Sequence, residues 1–151
     1  MSIKKLAICL VVCLIILCGC ICYLVYEMNC THGIYEINIS AVCLSNNSVG
    51  SEWHKSYTMD GEIISSGEQI TAPLDKTIQK TIKATITEID KWSDTASKDI
   101  AFTLRNNEST TSTIIVTENK GRFMGNTSKW EITVNVKLIK KQYDIIDRCN
   151  Y

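Results

Sequence analysis

Trp130, Ile132, Val134, Val136 and Leu138 alternate with Glu131, Thr133, Asn135 and Lys137. A period of two puts the apolar set on one face of an extended strand and the polar set on the other, and no helix can satisfy it. The same period runs through Tyr35, Ile37, Ile39, Ala41 and Cys43 against Glu36, Asn38, Ser40 and Val42. From Thr77 to Glu88 it places Ile78, Ile82, Ala84 and Ile86 on one side, with Lys80 the exception, and a threonine-rich set on the other. Shorter apolar runs follow Trp53, Glu62, Gln69, Ile100 and Thr111. Turn chemistry separates them: Asp60-Gly61, Ser65-Ser66-Gly67, Pro73, Asn106-Asn107 and the two glycines between Glu118 and Ser128. Seven or eight short strands without a competing helical period predict an antiparallel β-sandwich over residues 34–151, with a closed barrel as the second arrangement.

The N-terminal end obeys a different rule. Leu6 to Tyr26 is twenty-one residues without a charge, preceded by Lys4 and Lys5 and followed by Glu27. An α-helix of that length spans roughly 30 Å, the hydrocarbon thickness of a bilayer. Lysines on the N-terminal side predict that end inside the cell and the β domain outside, joined through a stalk at 27–33. Leu17-Cys18-Gly19-Cys20 also resembles a bacterial lipoprotein box, which would make Cys20 a lipidated N-terminus. An uncleaved helix and a lipid anchor both follow from these residues, and either one makes the membrane a partner.

Five of the eight cysteines, Cys9, Cys13, Cys18, Cys20 and Cys22, lie in that apolar run and serve as membrane filler. Cys30, Cys43 and Cys149 remain, without the paired spacing of a zinc knuckle. In an oxidising exterior, Cys43 with Cys149 is the expected disulfide, and three reduced thiols are the alternative.

Between two alternating segments stands "ITEIDKWSDTASKDIAF", Ile86 to Phe102, carrying Glu88, Asp90, Asp94 and Asp99. Carboxylates this dense must be solvated, paired with lysine, or bound to a cation; calcium wants six to eight hard oxygen ligands. The spacing resembles the calcium-binding loop of the protein kinase C-type membrane-targeting sandwich domains. That resemblance implies calcium held by Glu88, Asp90, Asp94 and Asp99. The sequence departs from the pattern in having Glu88 where that family has Asp, and only Asn46, Asn47 and Glu52 in the first inter-strand loop. Lys91 and Lys98 offer direct neutralisation instead. Over a longer span, "NNSVGSEW", "MDGEIISSG" and "TEIDKWSDTASKDI" resemble small surface-anchored proteins of Gram-positive bacteria, which implies a small β-sandwich and no particular activity.

Sixteen basic residues balance sixteen acidic ones, so no charge excess points to nucleic acid as a partner. The two histidines, His32 and His54, stand apart, and no G-x-S-x-G, H-E-x-x-H or phosphate-cradling glycine loop is present. A role in binding, not catalysis, is therefore expected. Trp53 and Trp130 begin strands and read as packing residues, whereas Trp92 lies in a polar loop. Sequence reading thus expects the loops 44–52 and 90–99, with Asn46, Asn47 and Trp92, to contact an unknown protein or surface ligand.

Overall fold

The computed structural model describes residues 3–142 apart from residue 91; within the helix, the side chains of residues 3, 4, 6, 7, 9 and 27–29 are outside the description. One helix, α1 (Ile3–Asn29), precedes eight strands. These are β1 (His32–Asn46), β2 (Trp53–Met59), β3 (Glu62–Ile64), β4 (Glu68–Pro73), β5 (Gln79–Glu88), β6 (Thr95–Thr103), β7 (Glu108–Thr117) and β8 (Thr127–Gln142). They form two antiparallel four-stranded sheets, ordered β4-β1-β8-β7 and β3-β2-β5-β6. The sandwich expected from the alternation is the observed fold.

Alternation builds the core directly. Ile37, Ile39, Ile114, Val116, Ile132, Val134 and Val136 are buried from one sheet, and Ile82, Ala84, Ile86, Ile100 and Phe102 from the other. Each of the Val, Ile and Phe side chains contributes about 1.5–3 kcal/mol of burial free energy. Trp130 is buried, and its ring lies 5.1 Å from that of Trp53 at a 58° tilt. The Lys55 ammonium sits 4.8 Å from the Trp130 ring, a cation–π contact that covers the edge of the core. Both tryptophans pack, as their strand positions predict.

Asp60 and Gly61 both adopt positive φ, 53° and 87°, the turn that matches strand twist in a two-residue hairpin. Lys80, the exception on the inner face of β5, reaches the mouth of the sheet and meets Asp60 at 2.6 Å.

The predicted stalk at 27–33 is much shorter than expected. Helix α1 runs to Asn29 and β1 opens at His32. Thr31 already belongs to the sheet's hydrogen bonding: its N–H donates to Gln142 O at 3.2 Å and its carbonyl accepts from Leu74 N at 2.9 Å. Every described side chain from Leu10 to Tyr26 is exposed. Among the described residues no helix is long and apolar enough to cross a membrane.

Strand directions sort the loops into two ends. Strand β1 starts beside α1 and finishes at Asn46, so the loop 47–52 lies at the end away from the helix. Antiparallel pairing of β1 with β8, β8 with β7, β2 with β5 and β5 with β6 brings the loops 89–94 and 118–126 to that same end. Fifteen residues of β1 separate the two ends by about 45 Å of strand.

Candidate functional site

The three distal loops are stitched together by backbone hydrogen bonds. Asn47 N–H donates to Thr127 O at 3.0 Å, Ile89 N–H to Glu52 O at 2.8 Å, and Glu88 N–H to Asp94 O at 2.8 Å. The turn 118–126 closes on itself through Glu118 N–H to Asn126 O and Gly125 N–H to Glu118 O, both 2.9 Å.

The four carboxylates of the acidic stretch have four different environments. Asp94 is buried at 5 % exposure, and its Oδ1 accepts from the Asn119 backbone N–H at 3.2 Å and from Asn119 Nδ2 at 2.8 Å. It is a strut tying β5–β6 to β7–β8. Asp90 shapes its own turn, accepting from Trp92 N–H at 2.6 Å, an Asx-type arrangement. Asp99 is not in the loop at all. It stands on the exposed face of β6, opposite Lys83, four pairs beyond the Thr87–Thr95 pair that ends the ladder, about 13 Å along the strand.

Glu88 is the exception. It is 3 % exposed, and its Oε2 is buried with no hydrogen-bond partner. Inner-face parity explains the position: Ile82, Ala84, Ile86 and Glu88 all point to the same side of β5. Burial, followed by the charges of Asp90, Asp94 and Glu118 and then a hydrogen bond with Asp90, raises its carboxyl above the ordinary 4.5. These causes all disfavour the charged form.

The four carboxylates expected to hold calcium do not converge on one point. Asp99 is remote, Asp94 is committed to Asn119, and among the described residues no group of three or more His, Cys, Asp or Glu side chains could hold a metal ion. Lys98 also points elsewhere, donating to Thr113 O at 3.2 Å.

Glu88 instead forms the wall of a depression of about 670 Å³, bordered by Val49, Gly50, Glu52, Ile89, Asp90, Glu118 and Phe123. Four carboxylates and no basic residue line it among the described residues. The cleft of about 370 Å³ at the end nearer α1 is different in kind. There Lys76 and Arg105 accompany Asp75 and Glu108, so opposite charges share one wall.

Of the expected contact residues, Asn46 is spent inside its own loop. Its Nδ2 donates to Gly50 O at 2.6 Å and its Oδ1 accepts from Val49 N–H at 3.0 Å. The Asn47 side chain is exposed, and Trp92 is 48 % exposed beside Ser93, Asp94, Asn119 and Lys120. Sequence reading missed Gly50, Glu118, Asn119 and Phe123. Cys20 lies inside α1, and Cys43 is a free, exposed thiol near Ser128 Oγ at 3.7 Å. Its predicted partner Cys149 lies outside the described residues.

Comparison with known proteins gives no match: no family model fits the chain, and no curated protein or solved structure is significantly similar to it.

Proposed function

We propose that this protein is a membrane-tethered binding module that presents the distal end of its β-sandwich to a partner protein outside the cell. One observation carries the reading. The loops 47–52, 89–94 and 118–126 gather at the end opposite α1, and there Ile89, Trp92, Phe123 and Met124 are 46–70 % exposed, Ile89 and Phe123 on the border of an acidic depression. Exposed aromatic and apolar side chains grouped beside polar residues mark an interaction surface. At the other end, the exposed apolar side chains described along α1 support a helix that rests in lipid, with Lys4 and Lys5 at its N-terminal end on the cytoplasmic side.

A topology experiment tests this on the full chain. Met124→Cys in a Cys43→Ser background is expected to react with a membrane-impermeant maleimide on intact cells and to sediment with membranes. Labelling only after permeabilisation, or recovery in the soluble fraction, would contradict the reading.

A further inference from the structure

We propose that the distal depression binds a basic side chain, arginine or lysine, of a partner protein, with the Glu88 carboxylate as its buried counter-ion. The inference deepens the binding-module reading and rests on it.

Three observations converge. Glu88 is almost fully buried on the wall of the depression, yet Oε2 has no hydrogen-bond partner. An ionised carboxylate buried without a donor is costly, and a charge-assisted hydrogen bond from an incoming cation removes that cost. Among the described residues lining the rim, the remaining charges, Glu52, Asp90 and Glu118, have the same sign. They raise the local concentration of cations and leave Glu88 Oε2 without a partner. Around them Ile89 and Phe123 offer apolar surface, suited to the alkyl stem of arginine or lysine below its charged head.

The choice between an organic cation and a metal follows from the donors. Calcium needs several oxygens converging on one point, whereas Asp94 is turned onto Asn119 and no three-ligand group exists among the described residues. A single buried carboxylate with acidic neighbours suits a guanidinium or ammonium, which brings its own donors. Gly50 lies directly against this carboxylate, since a Cβ at that position would overlap it.

The test uses the isotopically labelled full chain in detergent micelles, reading the backbone amide signals of Gly50, Ile89 and Glu118. The probes are acetyl-Leu-Arg-Leu-amide and its lysine counterpart, each against a neutral isostere, with citrulline for arginine and N-acetyl-lysine for lysine. At least one basic peptide is expected to shift these signals saturably, at least ~10-fold more tightly than its neutral isostere, and Glu88→Gln is expected to abolish that preference. Equal shifts by basic and neutral peptides would overturn the cation proposal while leaving a distal binding surface. No shift by any peptide would overturn both. Saturable shifts by calcium chloride that vanish in Glu88→Gln would overturn it in favour of a metal site.

Discussion

Gly50 occupies the position where any side chain would collide with the carboxylate of Glu88. The loop residue carries a φ of 134°, a conformation that glycine alone adopts without strain. Backbone and packing therefore demand the same residue: the loop 47–52 closes over the end of β5 because one member lacks a Cβ.

Gly50→Ala is expected to destabilise the sandwich by about 1–3 kcal/mol from backbone strain, with the overlap on Glu88 adding to it. Denaturant unfolding of Gly50→Ala, Glu88→Ala and the double variant separates the two contributions. The cost of Gly50→Ala should fall in the Glu88→Ala background, with a coupling of about 0.5–3 kcal/mol. Strictly additive effects would mean that the two residues do not meet.

Acidity should stabilise the distal end up to a point. The Glu88 carboxyl titrates above its ordinary value in the folded state, because of its burial and its acidic neighbours. Its contribution is then fully present below the unfolded-state value and is lost as pH rises through the folded-state value. Thermal melting should accordingly show Glu88→Gln gaining on the natural protein as pH climbs from about 4.5 toward neutrality. A difference independent of pH would show that Glu88 does not titrate differently on folding.

Asp94 and Asp99 should part company despite their proximity in sequence. Asp94→Ala removes the acceptor of two Asn119 hydrogen bonds, and losing two such bonds to a charged group should cost about 1–3 kcal/mol. Asp99→Asn, on the exposed face of β6, should change stability by no more than about 0.5 kcal/mol. Millimolar calcium should leave the melting temperatures of both variants and of the natural protein unchanged. A calcium-dependent rise lost in Asp99→Asn would restore the four-carboxylate site.

Much of the fold is legible in the sequence. Period-two runs placed the strands, and Asp60-Gly61 and Ser65-Ser66-Gly67 marked their turns. Strand ends were less legible. Strand β1 reaches Asn46 because it stays paired with β8 through an irregularity between Cys43 and Ser45, although its outer part has left the core. Periodicity reports burial and cannot see hydrogen bonding that continues without it. The acidic stretch misled for the same reason: a count of carboxylates along the chain ignores that Asp99 lies on a strand and Asp94 faces another loop. The parity signal at Glu88 was nonetheless present. The inner positions Ile82, Ala84 and Ile86 continue at the same spacing to a carboxylate. Gly50 and Glu118 left no such trace, because they meet Glu88 only through the pairing of distant strands.

At the Asp60-Gly61 turn, Asp60→Asn should be nearly neutral. Asparagine tolerates the positive φ of 53°, and the partly exposed Lys80 pair it loses is worth about 0–1 kcal/mol. Asp60→Ala should cost more, about 1–2 kcal/mol, since alanine has no local hydrogen bond to compensate a left-handed backbone. Equal costs for the two variants would indicate that the turn is not the stabilising element.

Titration of the Glu88 side-chain carboxyl carbon by NMR, on the full chain in micelles, reaches the central claim most directly. The account predicts a midpoint above 4.5 that falls when a basic peptide saturates the depression, because a bound cation favours the ionised form. A midpoint at or below the ordinary value without any ligand would contradict it, since the carboxylate would then already be paired within the protein.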